Sequence, residues 1–79
     1  MELKVLYFGM IAEITKKREE ILPVREQCNL NELRDMLISK YQELGSLSFK
    51  IAIDKKISKD IIVLQSTNEI ALLPPFSGG

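Results

Sequence analysis

The last six residues of this sequence, Pro74-Pro75-Phe76-Ser77-Gly78-Gly79, combine groups that can carry chemistry. A free α-carboxylate on Gly79 becomes an acyl donor once its oxygen is made into a leaving group, for example by attack on the α-phosphate of ATP. A thiol or persulfide can then displace AMP and leave a thioester or a thiocarboxylate. Because glycine has no Cβ, both end residues fit a narrow enzyme channel. The pattern therefore predicts a carboxylate handle at Gly79 that another protein activates.

The other residue types argue against a self-contained enzyme. The chain has no histidine and one cysteine, Cys28, so it lacks the commonest general base and a zinc ligand set. Gly9 and Gly45 stand alone, which leaves no glycine-rich phosphate loop. We therefore predict no bound cofactor and no metal, and we assign the ATP to the activating partner. Cys28 is predicted to be a small, half-buried structural residue rather than a sulfur relay.

Composition predicts one globular domain, residues 1–79, with 74–79 as a protruding tail. Of the 79 residues, 46% are hydrophobic and 28% are charged, an ordinary balance for a folded domain. Eleven basic and eleven acidic residues cancel, so we expect neither nucleic acid nor a membrane as partner. The first residues lead into a strand pattern rather than a signal peptide. Together with the single cysteine, this favours the cytoplasm.

The tail follows an apolar run, residues 70–73, that predicts a buried strand. Pro74 and Pro75 must end this strand, because neither has a backbone N–H for a sheet ladder. They also keep the start of the tail extended. Six extended residues can reach on the order of 20 Å.

Hydrophobic periodicity predicts five strands and one main helix. The strands are expected at 3–8, 20–24, 49–53, 61–64 and 69–73, with a short helical turn at 10–15. The helix is predicted to begin with a capping box of Asn29 and Glu32, and to end at Gly45 in the left-handed conformation. Pro23 places the second strand near a sheet edge.

These elements predict an α+β fold in which a mixed sheet packs against the one main helix. The first and last strands are expected side by side and parallel in the centre, joined by a crossover through the helix. This is a β-grasp arrangement. It places the tail beyond the end of a central strand, where a partner can reach it.

Three segments, residues 4–9, 31–34 and 69–79, resemble the small-subunit family of molybdopterin synthase, whose members are ubiquitin-like sulfur carriers. The Leu-Pro-Pro-x-Ser-Gly-Gly ending is the specific part of this resemblance. It implies that an E1-like enzyme adenylates Gly79 and that a sulfur donor converts it to a thiocarboxylate. The sulfur then goes to cyclic pyranopterin monophosphate, which becomes molybdopterin.

The resemblance also implies how partners bind. The tail, with Pro75, Phe76, Ser77 and Gly78, would enter the large synthase subunit, in a heterotetramer of two small and two large subunits. An apolar partner patch is implied at Phe8, Ile57 and Leu73, although each of these residues could equally be core.

Three other functions stay open from the residues alone. A sulfur carrier for thiamine synthesis has the same fold, but its tail usually lacks the two prolines. A ubiquitin-like modifier, joined to lysines through Gly79, shares the chemistry as far as the adenylate. The third is a plain interaction domain with an inert tail.

Overall fold

The computed structural model describes residues 1–57 and 62–75. Within these ranges, five strands form one mixed sheet in the order β2-β1-β5-β3-β4. The strands are β1 (Glu2–Tyr7), β2 (Glu19–Pro23), β3 (Lys50–Ile53), β4 (Lys56–Ile57) and β5 (Glu69–Leu73). The helices are α1 (Gly9–Thr15) and α2 (Leu30–Lys40), and a short 3₁₀ helix (Gln42–Ser46) follows α2.

The centre of the sheet is a parallel pair made by the first and last strands. The register of β1 with β5 runs from Lys4 opposite Glu69 to Tyr7 opposite Leu72. The outer neighbours, β2 and β3, are both antiparallel to this pair. The predicted mixed sheet with parallel first and last strands is therefore confirmed, and β2, which contains Pro23, lies at an edge as predicted.

One face of the sheet packs against α2 and forms the core. Side chains alternate along each strand, so every second residue points towards the helix. These residues are almost fully buried, as are the leucines that α2 contributes. The set comprises Leu3, Val5 and Tyr7 of β1, Ile70 and Leu72 of β5, Ile51 and Ile53 of β3, and Leu30, Leu33 and Leu37 of α2.

α2 starts at the predicted Asn29 cap, but the second half of the capping box and the end of the helix differ from the prediction. The Asn29 side chain accepts a hydrogen bond from the backbone N–H of Glu32 at 2.9 Å, but the Glu32 carboxylate pairs with Arg25 instead of completing the box. The helix ends at Lys40, and Gly45 lies within the 3₁₀ helix without a positive φ. The prediction that Gly45 is a left-handed cap was wrong, because the α-helix has already ended.

The strand predicted at 61–64 was also wrong where the structure describes it. Asp54 and Lys55 both have positive φ, which makes a tight two-residue hairpin, so the fourth strand is Lys56–Ile57. Residues 62–64 bond instead to the segment before α2, through a bridge between Val63 and Asn29. Position 61 lies outside the described residues.

Glu20 on β2 accepts hydrogen bonds from four side chains that the fold brings together. The hydroxyls of Tyr7 and Tyr41 donate at 2.8 and 2.7 Å, and the ammonium groups of Lys17 and Lys40 contact the other carboxylate oxygen. Burial alone would raise the pKa of Glu20, but these four hydrogen bonds outweigh it and lower the pKa to about 2. Burial, reinforced by the hydrogen bond to Glu20 and its charge, raises the pKa of Tyr7. The Glu20 cluster thus ties β1 and β2 to the end of α2.

We expect Glu20→Gln to lower the free energy of unfolding at neutral pH by about 1–3 kcal/mol, because it removes charge-assisted hydrogen bonds. The folded-state pKa of about 2 lies below the ordinary 4.5, so the native protein binds fewer protons than the unfolded chain between these values. The contribution of Glu20 is therefore complete above pH 4.5 and lost as the pH falls towards 2. Urea unfolding across this range measures both effects, and the variant should lose less stability on acidification.

Glu19→Gln is the matched control. Glu19 pairs with Lys4 at 3.0 Å, with both side chains more than half exposed, so its loss should cost no more than about 1 kcal/mol. Equal losses in the two variants would contradict the role of Glu20.

Candidate functional site

The tail leaves the sheet from a central strand, as predicted. β5 ends at Leu73, and Pro74 and Pro75, the first tail residues, are half-buried against the body. The predicted binding residues Phe76, Ser77 and Gly78 and the predicted reactive residue Gly79 lie outside the described residues. Their roles stay predictions.

Phe8, Ile57 and Leu73, the residues of the predicted partner patch, lie on the sheet face opposite α2. Tyr7 and Leu72 are buried against α2, so Phe8 and Leu73, which follow them in extended backbone, point to the other face. The exposed fractions of Phe8 and Ile57 are 46% and 49%, and Leu73 is half-buried. These positions are therefore open to a partner, although their binding role stays a prediction.

Cross-strand pairing joins the three residues into one surface. Ile57 pairs with Ala52, Ala52 with Ala71, and Ala71 with Leu6. Tyr7 pairs with Leu72, so the residues that follow them, Phe8 and Leu73, lie side by side. We call this surface the apolar patch, and it consists of Leu6, Phe8, Ala52, Ile57, Ala71 and Leu73.

Sequence reasoning missed Leu6, Ala52 and Ala71 as patch residues. The alternation of β3 predicts that Ala52 faces solvent, whereas its exposed fraction is 5%. Its partners in the neighbouring strands are Ile57 and Ala71. The signal that could have found these residues is the two-residue period. Leu6 and Ala71 stand two positions before Phe8 and Leu73.

Charged residues border the patch at two sides. Lys50 is exposed and pairs with Leu73 in the register of β3 with β5. Glu19 pairs with Leu6 in the register of β2 with β1, and its carboxylate bonds to Lys4. The result is an apolar strip with a polar rim, the usual composition of a protein-binding surface.

Cys28 lies on the opposite side of the sheet, beside the groove between β2 and α2. Its exposed fraction is 1%, so it is fully buried rather than half-buried as predicted. Burial raises the pKa of its thiol, the negative charge of Glu32 adds to this, and Arg25 opposes it only in part. A buried thiol with a raised pKa is a poor nucleophile.

Neither a metal site nor a membrane helix is found in the part of the chain that the structure describes. Residues 1–57 and 62–75 contain no group of three or more histidine, cysteine, aspartate or glutamate side chains placed to hold a metal ion. No helix in the same ranges has the length and apolar character needed to cross a bilayer.

Comparison with known proteins agrees with this fold. The model of the ThiS family matches residues 5–79. The molybdopterin synthase sulfur carrier subunit of Caenorhabditis briggsae is 32% identical over 83 residues, covering 100% of this chain and 99% of that protein. Among solved structures, SAMP1 from Haloferax volcanii superposes with a TM-score of 0.82 at 19% identity, and each chain is covered completely. The complex of subunits 1 and 2 of molybdopterin-converting factor from Helicobacter pylori contains a chain with a TM-score of 0.72 at 28% identity, also with full coverage of both.

The fold and the site thus define a ubiquitin-like β-grasp domain that carries an apolar patch beside its C-terminal tail, which confirms the predicted fold class. The chain belongs to the ThiS family and groups there with the molybdopterin synthase sulfur carrier subunits.

We expect Cys28 of the folded protein to resist alkylation by iodoacetamide at neutral pH, because burial blocks access and the raised pKa leaves little thiolate. The same protein unfolded in guanidinium chloride should be alkylated rapidly, which serves as the control. Intact mass against time measures both rates. Rapid alkylation of the folded protein would contradict the burial of Cys28.

Proposed function

We propose that this protein is the sulfur carrier of a molybdopterin synthase and carries the sulfur on the carboxyl carbon of Gly79. One observation carries the proposal. The apolar patch reaches Phe8 and Leu73, and the tail leaves the body at Pro74, directly after Leu73. A partner that covers the patch is therefore also placed to receive the tail. The family match that runs through residue 79 supports the same reading.

The proposed chemistry begins with activation of the Gly79 carboxylate. A carboxylate oxygen attacks the α-phosphorus of ATP in an E1-like enzyme, and pyrophosphate leaves. A persulfide of the sulfur donor then attacks the acyl carbon, and AMP leaves. A donor thiol cleaves the resulting acyl disulfide, which leaves the thiocarboxylate on Gly79 and a disulfide on the donor. ATP and the acid–base groups belong to the partners, and the chain itself contributes a narrow stalk.

The proposed acceptor step takes place in the large synthase subunit. The patch docks on that subunit, and the tail inserts Pro75, Phe76, Ser77 and Gly78 so that the sulfur on Gly79 reaches cyclic pyranopterin monophosphate. The match along the whole chain to a protein found in a complex of subunits 1 and 2 supports such a partner. We propose a heterotetramer of two small and two large subunits.

We place these reactions in the cytoplasm. The free, buried Cys28 fits a reducing compartment, where cysteines persist without forming disulfides.

We expect deletion of Gly79, or addition of one residue after it, to abolish thiocarboxylate formation. Adenylation requires the carboxylate at bonding distance from phosphorus, where an error of about 1 Å can cost about a hundredfold in rate. One residue moves the carbon by roughly 3.3 Å. Gly78→Val should also be severe, because its side chain would meet the channel walls, whereas Ser77→Ala is the mild control. Intact mass after incubation with the activating enzyme, ATP and sulfur donor measures loading.

We expect all four variants to melt at nearly the wild-type temperature, since the last few residues of a domain usually contribute little to its stability. Full sulfur loading and transfer by the Gly79-deleted protein would falsify the carrier proposal.

For the apolar patch, we expect Ile57→Asp to weaken binding to the large subunit by at least about tenfold, because a charge placed in an apolar interface must lose its water. The melting temperature should change little, since half of the Ile57 side chain is already exposed. Calorimetric titration beside a thermal melt separates the two effects.

Ile21→Asp is the matched control for this experiment. Ile21 lies on the same sheet face with an exposed fraction of 53%, but on the edge strand β2, where it pairs with Lys4 outside the patch. Its substitution should leave binding unchanged. Wild-type affinity in a folded Ile57→Asp protein would dismiss the patch.

A further inference from the structure

Pro74, the first residue of the tail, packs closely against Gly9, on the side where another residue would carry its Cβ. A Cβ built on Gly9 would lie 3.1 Å from Cγ of Pro74, 3.8 Å from Cδ and 3.9 Å from Cβ. The first of these distances is tighter than ordinary van der Waals contact. A proline ring cannot yield by rotating a side-chain bond, as a longer side chain can. A Cβ at position 9 would therefore force Pro74 to shift by a few tenths of an ångström.

The backbone at Gly9 adds a second requirement for glycine. Its φ is +55°, in the left-handed region, where residues with a Cβ are strained. This conformation turns the chain from the extended residue Phe8 into α1 within one residue, and the N–H of Ile11 then donates to the Phe8 carbonyl at 3.1 Å. The turn keeps Gly9 close to the end of the sheet instead of continuing the direction of β1.

The central strand pair sets which residues meet at this point. Tyr7 lies opposite Leu72 in the parallel register, so Phe8 comes beside Leu73 and Gly9 beside Pro74. The contact between Gly9 and Pro74 thus lies just past the last residue pair of the β1–β5 ladder. It lies where the tail begins and borders the apolar patch at Phe8.

We propose that Gly9 is a positioning residue for activation of the tail: by seating Pro74, it fixes the direction in which the tail leaves the body. This inference rests on the proposed function. Pro74 and Pro75 have ring-fixed φ angles, so fewer backbone rotations can absorb a shift of Pro74 before it reaches Pro75. When Pro74 is seated, a larger fraction of the molecules presents the tail towards the channel of a partner that grips the body.

A lower competent fraction raises the apparent dissociation constant in proportion. We therefore expect Gly9→Ala to raise the KM of the activating enzyme for the carrier about tenfold, with kcat within about twofold of wild type. The measurement is ATP–pyrophosphate exchange as a function of carrier concentration, well below the melting temperature of each variant. A purely structural role of Gly9 would lower the melting temperature and leave KM unchanged.

Two further variants separate the contact from backbone strain. Gly9→Asn keeps a Cβ under Pro74, but asparagine tolerates positive φ better than alanine, so its KM should rise while more of the stability is kept. Gly45→Ala is the control. Gly45 lies in the 3₁₀ helix without positive φ, and a Cβ there would lie 3.3 Å from Cγ2 of Ile38, so the variant adds a comparably close Cβ away from Pro74. It should leave KM at the wild-type value.

A double-mutant cycle with Pro74→Ala tests whether the effect passes through the proline ring. Pro74→Ala removes the ring atoms that Gly9 supports, so the double variant Gly9→Ala/Pro74→Ala should have a KM no higher than Pro74→Ala alone. Additive effects of the two substitutions on KM would overturn the positioning role, and so would a wild-type KM in both folded Gly9 variants. Neither result would contradict the carrier function, provided that the wild-type protein is still loaded with sulfur. Absence of loading in the wild-type protein would overturn both.

Discussion

The parallel pairing of β1 with β5 is the constraint on which the other features of this molecule depend. It joins residues about as far apart in the chain as the domain allows, from Lys4 beside Glu69 to Tyr7 beside Leu72. No local segment can form it alone, so the chain between the two strands must close into a loop and pack before the pair is stable. The pairing then supplies the middle of the sheet, against which α2 is laid, and it determines the end of the sheet at which the tail starts.

The two faces of this central strand pair differ in what they contact. On the α2 side, β1 and β5 bury large apolar side chains, and the Glu20 cluster closes one margin of this layer with charge-assisted hydrogen bonds. On the other side, the same strands, together with β3 and β4, present the apolar patch, whose outer members Phe8 and Ile57 remain about half exposed. Because successive residues of one strand serve different faces, a substitution can affect partner binding without opening the core.

Local chemistry made much of the architecture predictable. β-forming residues located β1, alternating apolar residues located β3, and an apolar run located β5. The proline pair located the end of β5, and Pro23 indicated an edge strand. Asn29 located the start of α2, because an N-cap depends on residues only a few positions away.

What failed depended on contacts between distant residues. α2 ends where the backbone of Tyr41 leaves helical geometry. The Tyr41 hydroxyl bonds to Glu20 on β2, a partner that no helical period reveals. Residues 62–64 have the composition of a strand but bond to the chain before α2. The patch was placed by resemblance at three positions, whereas Ala52 joined it only through strand register. The seat of Pro74 on Gly9 likewise depends on the register of two strands at opposite ends of the sequence.

The most direct test of the central claim is the intact mass of the wild-type protein after incubation with the E1-like enzyme, ATP and a persulfide donor. We expect one species in which a single oxygen has been replaced by sulfur, and its return to the carboxylate mass when the large subunit and cyclic pyranopterin monophosphate are added. A ladder of higher-mass conjugates to lysines, with no sulfur-loaded species, would contradict the account and identify a protein modifier instead.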